Sequence, residues 1–200
     1  MHIHTEDTPN PQSMKFLPGQ YVLGAGELGM DFPSLEAAKI SPLATALFDV
    51  DGVTSVYLGS DFVTVTKDPA MEWDHLRPAV LGTIADFLSA GIPAMQEGAK
   101  SEAEGTTSVE DYKGEDREIV EQIITLLDTR VRPAVAQDGG DITFHRYEPG
   151  DGIVFLSMQG ACAGCPSSTM TLKAGIENLL RHYVPEVNAV EAVGMEMPSF

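Results

Sequence analysis

Sulfur is scarce in this chain. Of 200 residues two are cysteine, both inside QGACAGCPSS (residues 159–168), and the first 161 residues contain none. Two thiols separated by two residues point to metal or redox chemistry rather than to a structural disulfide. Basic residues are also few, 12 Lys and Arg against 30 Asp and Glu, for a formal charge of −18. Phosphate backbones and anionic lipid are bound by clustered cations, so nucleic acid and membrane surfaces are excluded as partners. No apolar run approaches the roughly 20 residues a bilayer span needs, and the chain is expected to be soluble. The opening MHIHTEDTPNPQSMKF has no basic n-region, no apolar h-region and no arginine. It reads as neither a secretory signal nor an uncleaved transit peptide, and the expected location is cytoplasmic, as in a bacterium, with the mitochondrial matrix form of a processed precursor as the alternative.

What is present fits a folded chain: 43% hydrophobic residues, 19 glycines and 13 prolines. The length suits two compact units. The sharpest change of composition is QEGAKSEAEGTTSVEDYKGED (residues 96–116), small, polar and charged, which reads as a flexible acidic linker. The expected fold class is α/β (α+β), with two small domains at 1–95 and 115–200, each a short sheet packed with helices, joined by a linker at 96–114. In the first domain Ser41 and Pro42 supply an N-cap and a first helical residue. VTSVYLGSDFVTVTK alternates around a Gly-Ser-Asp turn as a hairpin. Trp73, Leu76, Val80, Ile84 and Phe87 mark one apolar helical face that ends at Gly91, with Pro78 able to kink it and Trp73 read as core. In the second domain Ile119, Ile123, Leu126 or Leu127, and Val131 share a face, and Pro133 is expected to break the helix. DITFHRY and GIVFLSMQG read as strands joined through Gly150 and Gly152. A helix opened by Pro166, with Leu172, Ile176, Leu179 or Leu180, and Tyr183 on its face, follows the cysteines, and VNAVEAV reads as a last strand.

The strand GIVFLSMQG runs straight into the cysteines, so the loop is anchored on a sheet. Placing Pro166 at the first helical position leaves Cys162 and Cys165 in the loop, Cys165 near the N-cap, where the positive helix end and the backbone N–H groups freed by Gly160 and Gly164 favour an anionic centre. Three uses stay open. A tetrahedral thiolate site wants four sulfurs and the chain supplies two, so two chains can meet over one metal centre. A thiol-disulfide oxidoreductase could cycle the pair, although its neighbours are alanines and Lys173 is about two turns away. A zinc-stabilised interaction module could be completed by His145 or His182, neither at metal-finger spacing. His2 and His4 read as a solvated terminal pair.

RPAVAQDGGDI followed by LSMQGACAGCPSSTMTLKAGIENLL resembles the C-terminal domain of the NifU family, the Nfu-type iron–sulfur cluster carriers, over nearly all of residues 115–195. TPNPQSMKFLPG, SPLATALFDVDGV and DFVTVTK resemble the Nfu N-terminal domain. The resemblance implies that Cys162 and Cys165 are cluster ligands and that a homodimer shares one cluster, 4Fe-4S foremost and 2Fe-2S as the alternative. It further implies a non-enzymatic carrier, loaded by an upstream cluster scaffold and delivering to apo iron–sulfur client proteins. Longer NifU proteins match only at the C-terminal domain and carry further cysteine-bearing domains, so this chain is not expected to build clusters from iron and sulfide alone. DGGD (residues 138–141) belongs to the family pattern and reads as a tight turn, not a binding site.

Overall fold

The computed structural model describes residues 2–25, 27–96, 107–163 and 166–193, without the side chains of 166–168. Two mixed α and β domains are present, one on a five-stranded sheet and one on a three-stranded sheet, each packed with helices. The first contains β1 (His4–Asp7), β2 (Ser13–Leu17), β3 (Met30–Phe32), α1 (Leu35–Ala38), α2 (Pro42–Phe48), β4 (Val53–Leu58), β5 (Val63–Lys67) and α3 (Trp73–Ser89). Its strands lie in the order β1-β2-β5-β4-β3, every pair antiparallel. Period-two alternation sends Met14, Phe16, Phe32, Val56, Leu58, Val63 and Val65 to the face covered by the helices, where they meet Leu43, Leu47, Leu76, Val80 and Ile84. Full burial of each large apolar side chain is worth about 1.5–3 kcal/mol.

The expected hairpin is β4–β5, with Gly59 N–H donating to the Phe62 carbonyl across the turn. The expected cap is also present: the buried Ser41 hydroxyl accepts from Ala44 N–H at 3.0 Å and donates to the Ala94 carbonyl at 2.6 Å. Trp73 is half-buried against the core, tilted on Phe16, and its Nε1–H donates to the Pro11 carbonyl at 3.1 Å. α3 runs through Pro78 without interruption.

The second domain comprises α4 (Glu115–Leu126), α5 (Arg132–Gln137), β6 (Gly140–Glu148), β7 (Ile153–Gly160), α6 (Pro166–Tyr183) and β8 (Ala189–Val193). β6 and β7 form an antiparallel hairpin, and α6 carries the chain over to β8, which pairs parallel with β7. A helical break at Pro133 is not what forms. Residues Leu127–Val131 widen into a π-helical turn, and helix resumes through Pro133 to Gln137. Pro133 falls in the first turn of α5, directly behind the wider turn, where its ring and missing N–H cost least. Tyr183 also departs from its expected place. It is 44% exposed with the Arg130 guanidinium 5.0 Å from its ring centre, and Ile176, Leu180 and Val184 fill the core instead.

Of the segment expected to be linker, residues 97–106 lie outside the described residues. Beyond them Thr107 N–H donates to the His145 carbonyl, and Val109 and Tyr112 pack on the second core. The Tyr112 hydroxyl donates to the Tyr147 carbonyl and accepts from its N–H. Among the described residues no helix is long and apolar enough to cross a membrane.

Ser41 joins the start of α2 to the chain beyond α3, so its hydroxyl holds two distant segments. Ser41→Ala is expected to lower stability by about 1–3 kcal/mol, from the lost cap and the unpaired Ala94 carbonyl. Urea unfolding, with an unchanged slope and a lower midpoint, checks this.

Candidate functional site

The thiol loop begins where β7 ends. Gly160 has φ +61°, a left-handed turn that suits a residue without Cβ, and the chain then folds back under the DGGD turn. Ala161 N–H donates to the Gly139 carbonyl at 3.2 Å, Cys162 N–H to Gln159 at 3.3 Å and Ala163 N–H to Gly160 at 3.1 Å. The Thr169 hydroxyl, from the first turns of α6, donates to the Cys162 carbonyl at 3.2 Å. Cys162 is a free thiol, 7% exposed, and belongs to the apolar cluster of the second domain. Cys165 lies outside the described residues.

DGGD does more than turn the chain. A Cβ on Gly140 would stand 2.4 Å from the Cys162 sulfur and 3.0 Å from its backbone nitrogen, so the missing side chain is the space the thiol occupies. Asp141 is 4% exposed and fully engaged. Its carboxylate accepts two parallel bonds from Arg132, Nε and Nη2 at 2.8 Å each, one from Ile142 N–H at 2.8 Å and one from the Tyr57 hydroxyl at 3.1 Å. Arg132 also reaches Asp128 at 3.1 Å. The Asp141 bonds hold the arginine firmly protonated, and burial followed by the Asp141 charge pushes the Tyr57 phenol upward.

Burial pushes the Cys162 thiol up to about 12, with the charges of Asp138 and then Asp141 acting in the same direction. The sulfur is therefore protonated at neutral pH. A thiolate is what binds metal, so Cys162 would have to lose this proton before it could serve as a ligand. The sulfur rests against the Gly140 floor, and in this protonated state it is neither a ready nucleophile nor a ready ligand.

The histidines weighed as zinc ligands are otherwise placed. His145 is the extra residue of a bulge in β6, between Phe144 and Arg146, which shifts the alternation so that Tyr147 rather than Arg146 enters the core. Its Nδ1 is buried without a hydrogen-bond partner. His182 stacks edge-on against Tyr183. Among the described residues, no group of three or more His, Cys, Asp or Glu is arranged to hold a metal ion.

Arg132, Asp141 and Tyr57 had no role in the sequence reading. The available signal was an arginine ahead of Pro133 and an aspartate closing DGGD. Their pairing depends on the chain reversing between α5 and β6, and the tyrosine arrives from the other domain.

A five-stranded and a three-stranded mixed domain, the second with a cysteine loop between strand and helix, define a two-domain mixed α and β protein. Residues 3–91 match the family model described as "Scaffold protein Nfu/NifU N terminal", and residues 123–191 match the NifU-like domain. The chain belongs to the Nfu/NifU family. It is similar, at 52% identity over 193 residues, to the NFU1 iron-sulfur cluster scaffold homolog, mitochondrial, of Drosophila willistoni, covering 96% of this chain and 64% of that protein. Two proteins of Arabidopsis thaliana are 49% identical over 96% of this chain: NifU-like protein 4, mitochondrial, 65% of which is covered, and NifU-like protein 5, mitochondrial, 67% of which is covered. The chain thus spans about two thirds of the length of these relatives.

Two expectations follow from the electrostatics. In the native apo-protein at pH 8, Cys162 should react with iodoacetamide at least about a hundredfold slower than in urea-unfolded chain, because the thiolate fraction falls tenfold per pKa unit; peptide-resolved mass spectrometry measures it. The second concerns Asp31, half-buried on β3, whose Oδ1 accepts from Gly160 N–H at 3.2 Å and whose carboxyl burial pushes up to about 6, against the lowering effect of that bond. A raised carboxyl contributes stability that is full below its unfolded value of 3.8 and is lost as pH rises through about 6. Asp31→Asn should therefore stabilise the protein at pH 8, by about 1–3 kcal/mol, and have little effect at pH 4. Thermal melts at both pH values test the sign.

Proposed function

We propose that this chain carries an iron–sulfur cluster as cargo, bound through Cys162 and Cys165, and passes it to apo-proteins that need one. The observation that carries this reading is the arithmetic of thiols on a prepared loop. One adjacent pair stands between β7 and α6, and four thiolates complete a cluster, so two protomers contribute two each. The names of the relatives, iron-sulfur cluster scaffold among them, support the cargo. The cluster is 4Fe-4S in this reading, with 2Fe-2S the alternative.

Release is a ligand exchange. A client cysteine replaces Cys162 or Cys165 on iron while the departing sulfur takes up a proton, so no covalent catalysis is assigned to the protein. Two ligands per chain let the cluster leave without either domain unfolding. Loading comes from an upstream scaffold. The mitochondrial names of the relatives support the matrix alternative over the cytoplasmic location first expected. The alanines beside the cysteines offer no base for the oxidoreductase alternative, and the positions of His145 and His182 add nothing for zinc.

Anaerobic reconstitution without added thiols should give about four irons per two protomers for a 4Fe-4S centre, the dimer reverting toward apo mass on chelation. Cys162→Ser and Cys165→Ser should each abolish stable loading while leaving the circular dichroism of the fold intact. Native mass spectrometry decides. A dominant monomer with an intact four-iron cluster and no small thiol would overturn the shared site, and full loading of Cys162→Ser would overturn its ligand.

A further inference from the structure

The second face of the N-terminal sheet is polar by alternation and should face water, yet it is buried. Lys15 is 7% exposed, Tyr57 3% and Thr64 1%. The strand register sets these residues in one row: Lys15 opposite Thr64, Thr64 opposite Tyr57, Tyr57 opposite Asp31. Every member of the row reaches the other domain at the segments that build the thiol loop. Lys15 Nζ donates to the Ala136 and Gln137 carbonyls at the end of α5, 2.9 and 3.2 Å. The Thr64 hydroxyl donates to the Gly139 carbonyl at 2.6 Å. Tyr57 donates to Asp141, and Asp31 accepts from Gly160 N–H. Below the row, Asn10 Nδ2 donates to the Ala163 carbonyl, one residue past Cys162, at 3.2 Å.

Shape follows the same plan. A Cβ on Gly29 would stand 1.7 Å from the Tyr57 hydroxyl, so this glycine leaves the path by which the phenol reaches Asp141. A row of four polar side chains, three buried and Asp31 half-buried, each matched to a backbone or side-chain partner on a different domain, is a docking surface, since unpaired burial of such groups would be costly.

We propose that the polar face of the N-terminal sheet is a cap for the thiol loop of its own chain, closed in the apo-protein and released before two protomers can bring their cysteine loops together. The shared cluster in this statement rests on the function proposed above; the covering of the loop does not. Asn10 and Asp31 hold the loop backbone at Ala163 and Gly160, on either side of Cys162, so the approach of a second loop from that side meets the first domain. The contact is suited to opening, because most of its bonds join polar groups that water can satisfy, with the Tyr57 and Phe62 rings as its apolar part, and because both domains carry excess acid: 12 acidic and 4 basic residues through residue 95, 13 and 6 after residue 114. The partner that fits the row is thus a pair of backbone segments, the α5–β6 turn and the β7 exit, presented by residues 136–141 and 160–163 of the same chain.

The test uses the full-length apo-protein with Thr64→Glu, which sets a carboxylate against the Gly139 carbonyl but would face water in an opened chain. Two readouts are taken: the N-ethylmaleimide rate at Cys162, resolved by peptide mass spectrometry, and the radius of gyration from solution scattering. The variant should alkylate at Cys162 at least tenfold faster than wild type and be measurably more extended, with unchanged circular dichroism. Tyr57→Phe, which removes only the bond to Asp141, should shift both readouts the same way to a lesser degree, and it decides alone if Thr64→Glu fails to fold. An unchanged radius, or an extended variant in which Cys162 stays as slow as in wild type, overturns the cap. If both readouts shift but neither protein takes up iron on reconstitution, the cap stands and the carrier function falls.

Discussion

Backbone polarity at the thiol loop is the constraint around which this molecule is organised. The α5–β6 turn and the exit of β7 are irregular, so their carbonyls and N–H groups have few partners within regular strands and helices. Buried groups of that kind must be paired. Ala161 N–H bonds to Gly139 and Gly139 N–H to Ala136, and Ala136, Gln137, Gly139, Gly160 and Ala163 gain further partners in Lys15, Thr64, Asp31 and Asn10 of the first domain. The face of one domain is in that sense the missing hydrogen-bonding layer of the other.

The two cores are independent of this seam. Each sheet buries one apolar face against its own helices, and the two apolar clusters share no residue. Between them the contact is mainly polar and directional, which sets register, with the Tyr57 and Phe62 rings buried outside both clusters as its apolar part. Arg132 ties the seam to the second domain: paired in parallel with Asp141, it fixes the carboxylate that Tyr57 meets. The π-helical turn ahead of it keeps Pro133 in the chain without ending the helix, and so sets the arginine at the start of α5.

Much of the fold was legible. Alternation around Gly59 marked the β4–β5 hairpin, the Ser41 and Pro42 pair marked the start of α2, and the apolar stripe from Trp73 marked α3, because these signals act within a few residues. The Pro133 break was misjudged, since a π turn depends on how the surrounding helix packs and not on the proline alone. Tyr183 was misjudged because a helical face is wider than the core it meets, and the Arg130 contact holds the ring at the rim. At the site the sequence marked the cysteine pair and the glycines about it, but read DGGD as a turn only. Its use as the floor under the Cys162 sulfur requires the turn and the loop to be packed together, and they are separated by the whole β6–β7 hairpin.

By itself the sequence determined the composition class, the two mixed domains and the thiol pair with its spacing, all of them properties of local pattern and of residue count. Tertiary structure alone decided that Lys15, Thr64, Tyr57 and Asp31 stand in one row, that this polar face is covered, and that Cys162 is buried against Gly140 in the second domain. The physical reason is that alternation specifies two faces of a strand but not what lies against each. A polar face reads the same whether water or another domain satisfies its hydrogen bonds, and only the assembled chain distinguishes them.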